Sequence, residues 1–141
     1  MRVLIDTCVI MDAVQSREPF AQDAQAILLA AANQRIMGCV TAKEMTDIYY
    51  LTHRCTHDRE ATKTLMGRLG VLLDILDTTQ SDVRRALASD ISDFEDAVMA
   101  ETALRERMDC IVTRTLPDFA RSPVPVYAPH DLLLKLEQPE R

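Results

Sequence analysis

A chain of 141 residues has room for one domain, and 48% hydrophobic with 27% charged residues are globular values that exclude disorder and collagen-like repeats. No apolar run approaches the roughly 20 residues that span a bilayer, and the apolar start, Met1 to Ile10, is broken by Asp6, so neither a membrane anchor nor a signal peptide is expected and the expected location is cytoplasmic. The net charge is −6, all of it from residues 71–141, where 14 acids face 8 bases; residues 1–70 hold 8 of each. Such a protein does not attract nucleic acid through bulk charge.

Arg2-Val-Leu-Ile-Asp6 is a β-branched and apolar run, a strand that ends at an acid. Pro19 suits the first turn of a helix that continues through Ala21 to Ala32. Ile36 to Thr41 reads as a second strand, and Ala42 to Thr52 has apolar residues at helical spacing. Asp58 caps a helix through Leu69 that Gly70 closes, and Val71 to Leu76 is a third strand. Asp82 to Ala88 is a short helix. Ser92 and Glu95 form a capping box that opens a helix to about Met108, with Ala97, Ala100, Leu104 and Met108 as its apolar stripe. Cys110 to Thr113 is a strand, Thr115 to Phe119 a loop, Val124 to Tyr127 an extended edge piece, and Pro129 starts a last helix through about Leu136. Strands alternating with helices imply an α/β fold with a parallel sheet between helices, and no linker divides residues 1–141.

In such sheets ligands bind beyond the carboxyl ends of the strands. Asp6 stands at one such end and Asp118 follows another. Asp47 lies on the helix after the second strand. Asp93 and Asp96 lie in the first turn of the helix before Cys110. Two carboxylates about 5 Å apart repel by roughly 3 kcal/mol at an effective dielectric near 20. A convergent set of acids therefore calls for a cation, and Mg²⁺ or Mn²⁺ takes hard oxygen ligands of this kind. Each acid also has a plain structural use. Glu95 and Asp93 suit a helix start, Asp118 a turn, and Glu44 and Asp47 share one helix face, so either could be the one that reaches a site. The acidic excess as a whole also suits a solvated surface.

Four cysteines lack CxxC spacing and are read as reduced thiols; His53, Cys55 and His57 read as a solvated helix end rather than a zinc site. There is no GxGxxG, Walker loop, GxSxG or HExxH, which withdraws support from dinucleotide, P-loop and serine-hydrolase chemistry.

Four segments carry a resemblance. Val3 to Asp12, Thr41 to Tyr50, Asp93 to Ala97 with Glu101 to Ala103, and Ile111 to Phe119 resemble, in order, the four acidic motifs of the PIN-domain family. The resemblance implies a parallel α/β/α sandwich and a Mg²⁺- or Mn²⁺-dependent endoribonuclease, similar to the toxins of VapBC-type toxin–antitoxin pairs. Carried over by position, the four acids fall on Asp6, Asp47, Asp96 and Asp118, with Asp6 and Asp96 as metal ligands. Glu44, Asp93 and Thr113 are supporting, and Glu44 is the alternative to Asp47. Cys8 stands where the family commonly has asparagine or serine, and Thr115 where asparagine is usual. The implied partners are an RNA substrate, a cognate antitoxin and a second copy of the chain. Two rival readings remain: an aspartyl-phosphate phosphatase, which needs a second aspartate where Cys8 stands, and a non-catalytic PIN-like module that binds RNA or protein.

Overall fold

The computed structural model describes residues 1–139. Among them, strands β1 (Arg2–Ile5), β2 (Met37–Thr41), β3 (Asp74–Leu76), β4 (Cys110–Val112) and β5 (Val126–Tyr127) form one sheet in the order β3-β2-β1-β4-β5. Every pairing is parallel, as the alternation of elements implied. The helices are α1 (Thr7–Val14), α2 (Ala21–Ala32), α3 (Ala42–Thr56), α4 (Arg59–Leu72), α5 (Gln80–Leu87), α6 (Phe94–Arg105) and α7 (Pro129–Glu137).

Successive side chains of a strand point to opposite faces, and the sheet uses both. Val3, Ile5, Val40 and Val112 pack with Ile10, Ile27, Ile48, Leu69 and Leu132 from α1, α2, α3, α4 and α7. Leu4, Cys39 and Ile111 pack on the other face with Ala86 of α5 and Ala97, Ala100 and Ala103 of α6. Three alanines along one face of α6 allow a close approach to the sheet. Each fully buried Val, Leu or Ile contributes roughly 1.5–3 kcal/mol, so both layers are held chiefly by apolar burial. A Cβ at Gly38 in β2 would stand 2.7 Å from the Leu73 Cδ2 and 3.1 Å from the Ala31 Cβ, so a larger residue there would force Leu73 to move.

Several local expectations are corrected. Helix α1 follows β1 with no loop, and its Val9, Ile10 and Val14 gave no helical signal separate from the strand's apolar run. Pro19 stands in the turn before α2, not in its first helical turn. Gly70 does not close α4, which runs on to Leu72, so β3 keeps only Asp74–Leu76. Ser92 is not the cap of α6. Asp93 is, its Oδ1 accepting from the Asp96 N–H at 3.0 Å. Helix α6 stops at Arg105, and Leu104 is 42% exposed and outside the stripe. Helix α3 extends to Thr56, and Leu116–Phe119 forms a 3₁₀ turn in the expected loop.

Candidate active site

Three helix N-termini meet at the carboxyl end of the sheet, and each brings an acid. Asp6 follows β1 and occupies the N-cap position of α1. Glu44 lies in the first turn of α3, directly after β2. Asp96 lies in the first turn of α6. The positive end of each helix dipole favours a carboxylate at such a place. The cleft between them has a volume of about 330 Å³ and is lined by Asp6, Glu44 and Asp96 with Thr7, Lys43, Asp47 and Glu95 among others.

Asp6 is buried, and its carboxylate does not cap α1. Its Oδ2 accepts from the Thr113 hydroxyl at 2.7 Å and from the Cys8 thiol at 3.4 Å. Thr113 is itself fully buried at the end of β4, and its Oγ1 accepts from the Thr115 N–H at 3.1 Å. Burial pushes the Asp6 carboxyl up, while the Thr113 and Cys8 hydrogen bonds oppose the shift. Burial and the charge of Asp6 push the Cys8 thiol up to about 11. At neutral pH Cys8 is therefore a neutral donor, which is what a serine would be in the same place.

Glu44 is buried and serves two ends at once. Its Oε1 accepts from the Thr41 N–H at 3.1 Å while Thr41 Oγ1 accepts from the Glu44 N–H at 3.0 Å, a complete capping box. Its Oε2 accepts from the Thr7 hydroxyl at 3.3 Å. Burial, then the negative charge of Asp6, holds its carboxyl well above the usual range. Asp47 is placed differently. It lines the outer cleft, is about a third exposed, and its Oδ2 accepts from Lys43 Nζ at 2.6 Å.

The Asp96 carboxyl is pushed up to about 7 by burial and then by the charges of Asp93, Asp6, Asp118 and Glu95. Asp93 is the exposed cap of α6. Asp118 is exposed on the 3₁₀ turn, reaches Asp96 through charge, and does not line the cleft. The expected set thus divides: Asp6, Asp47 and Asp96 line the cleft with Glu44, Thr113 stands behind Asp6, and Asp93 and Asp118 do not line it. Among the described residues Asp6, Glu44 and Asp96, the inner acids, have no ion-pair partner, whereas Asp47 is paired with Lys43.

Two functional features were not expected. Asp12 is buried on the otherwise apolar inner face of α1 and accepts from Arg114 Nε at 2.8 Å and Nη2 at 3.1 Å. Arg114 also lies 4.3 Å over the Phe20 ring. This pair fastens the segment after Thr113 to α1. An acid among Val9, Ile10, Met11 and Ala13 was the available signal, since a buried carboxylate needs a partner. The second is Lys43, whose Nζ reaches both Asp47 and, at 3.0 Å, Glu95 of α6.

The inner acids suit a hard divalent cation by donor chemistry and by charge. All three offer carboxylate oxygens, and all three are shifted in the direction that an added positive charge would relieve. Among the described residues, no three Asp, Glu, His or Cys side chains already close on one point as a ligand set.

The parallel α/β fold is shared with known proteins. The family model for the PIN domain matches residues 2–116, and the chain belongs to the PIN-domain family. Solved structures share the fold at low identity. A toxin–antitoxin complex from Klebsiella pneumoniae is 20% identical with a TM-score of 0.67, over 90% of this chain and 97% of that one. FitAcB from Neisseria gonorrhoeae is 18% identical with a TM-score of 0.67, over 91% and 98%. VapC20 from Mycobacterium tuberculosis, a toxin that cleaves the sarcin–ricin loop, is 14% identical with a TM-score of 0.61, over 77% and 86%. No curated protein matches the chain.

Proposed function

We propose that this protein is a Mg²⁺- or Mn²⁺-dependent endoribonuclease, the toxin of a toxin–antitoxin pair, acting as one domain in the cytoplasm. The observation that carries the reading is that Asp6, Glu44 and Asp96, from three separate elements, have their carboxyls raised together around one cleft. Burial raises all three, and neighbouring negative charge adds to the shift at Glu44 and Asp96, so a bound cation would relieve what the fold otherwise meets only with protons. Membership of the PIN-domain family and likeness to toxin structures support the substrate class. Among the described residues no helix is long and apolar enough to cross a membrane.

Asp6 and Asp96 would hold the cation directly, with Glu44 as the second acid in preference to Asp47. When bound, a divalent cation supplies a water of lowered pKa and positive charge for the leaving oxygen. Thr113 and Cys8 both donate to Asp6 Oδ2, which orients a carboxylate that lines the cleft. Glu44 keeps Oε1 on the Thr41 amide, so Oε2 is the oxygen available once Thr7 yields it. Asp93 and Asp118 keep the Asp96 side electronegative and so favour cation entry. An antitoxin partner would insert an arginine into the same cleft, where its fork pairs two carboxylate oxygens. A second copy of the chain is a further expected partner.

The test is cleavage of bacterial total RNA with Mn²⁺ and with EDTA. The wild type is expected to cut only with Mn²⁺. Asp96→Asn should lower the rate at least about a hundredfold, roughly 2.7 kcal/mol of transition-state stabilisation. Cleavage that persists in EDTA, or that Asp96→Asn leaves intact, would contradict the reading.

A further inference from the structure

The cleft lining holds five carboxylates, Asp6, Glu44, Asp47, Glu95 and Asp96, and among the described lining residues one cation, Lys43. An RNA strand entering that cleft brings negative phosphates into a negative field. Charge at the inner acids governs the reacting phosphate alone; the neighbouring phosphates need a contact of their own. Lys43 is built to provide one. Its backbone is fixed at the start of α3, where its N–H donates to Thr78 Oγ1 at 3.3 Å. Its side chain is 39% exposed and ends between Asp47 at 2.6 Å on its own helix and Glu95 at 3.0 Å on α6. Both partners are solvent-accessible, and Glu95 is 71% exposed. Exposed ion pairs of this kind hold weakly and exchange readily. The four-carbon stem allows the ammonium to swing while α3 stays still.

We propose that Lys43 is an RNA-backbone contact held in reserve by Asp47 and Glu95. It exchanges those carboxylates for a phosphate flanking the scissile one when a strand enters the cleft. The contact is to phosphate and is therefore indifferent to base sequence. This rests on the nuclease reading of the same cleft. It also gives Asp47 a role away from the inner acids, as a keeper of Lys43.

The experiment measures binding of a fluorescein-labelled single-stranded oligouridine by anisotropy over a range of KCl, with Ca²⁺ as the oxygen-seeking cation, alongside RNA cleavage with Mn²⁺. Lys43→Gln is expected to reduce the slope of log affinity against log salt by about 0.7, the loss of one phosphate contact on a single strand. Glu95→Gln frees Lys43 and is expected to tighten binding by about threefold, the competition an exposed ion pair exerts. In the Lys43→Gln background the same change should gain nothing. An equal gain in both backgrounds would mean that Glu95 acts through general charge and would overturn the exchange. If the wild type cleaves RNA but does not bind the oligouridine, or Lys43→Gln keeps its affinity and slope, the inference fails and the nuclease reading stands. If the wild type neither binds nor cleaves RNA, the nuclease reading fails and the inference with it.

Discussion

The inner wall of the cleft and its rim use the same residue types to opposite ends. At the inner wall Asp6 and Glu44 are buried, and their hydrogen bonds come from neutral groups: Thr113, Cys8, Thr7 and the Thr41 amide. At the rim Asp47 and Glu95 are accessible and share the ammonium of Lys43. A neutral donor orients a carboxylate without cancelling its charge; a lysine cancels it. Among the described residues the inner acids therefore lack the counter-charge that the rim acids have. Position in sequence does not reveal the difference, since Glu44 and Asp47 are one helical turn apart.

The comparison breaks most severely if the wall loses its support. Arg114→Leu would leave Asp12 buried with, among the described residues, Arg17 as its remaining cation, at 3.8 Å. We expect a loss of about 3 kcal/mol in chemical denaturation, the usual cost of stranding a buried charge. Lys43→Leu, which breaks the rim pairs, should cost under about 1 kcal/mol in the same assay. Equal losses would erase the distinction between wall and rim.

A smaller effect sharpens the comparison through pH. Asp96 titrates near 7 in the fold against an ordinary 3.8, so between those values the folded state holds the extra proton. Stability then falls as pH rises from about 4 through about 7, and the raised carboxyls of Asp6 and Glu44 act in the same direction. Without divalent metal the melting temperature should decline over that window. Asp96→Asn should flatten the decline, and saturating Mn²⁺ should reverse it by binding the ionised form. A melting temperature that rises across the window in EDTA would remove the strain attributed to the inner acids.

Much of this was legible in the chain. The strand-ending Asp6, the parallel sheet and the convergence of acids at its carboxyl end follow from apolar runs and their spacing. The capping box was not placed correctly. The signal was read at Ser92–Glu95, where Asp93 takes the cap one residue later, while the boxes that form are Thr41–Glu44 and Thr79–Asp82. Local sequence offers several serviceable caps, and only tertiary packing selects among them. The sequence offers Glu44 as the alternative to Asp47, and the structure sets the two in different surroundings. Glu44 completes a box with one oxygen and takes the Thr7 hydroxyl with the other, within the field of Asp6, whereas Asp47, favoured by motif register, is drawn to Lys43. The apolar surroundings of Asp12 signal that it needs a partner, but 102 residues separate it from Arg114, so the sequence does not say which.

Glu44→Gln against Asp47→Asn tests the central claim most directly, because glutamine still completes a capping box and removes only the charge. The measurement is Mn²⁺ affinity by titration calorimetry, with circular dichroism to verify helix content. Glu44→Gln is expected to weaken Mn²⁺ at least about tenfold, roughly 1.4 kcal/mol, with helix content unchanged. Asp47→Asn should leave the affinity within about threefold, the scale of an exposed charge. If Asp47→Asn abolishes binding while Glu44→Gln retains it, the inner wall is not where the cation is held.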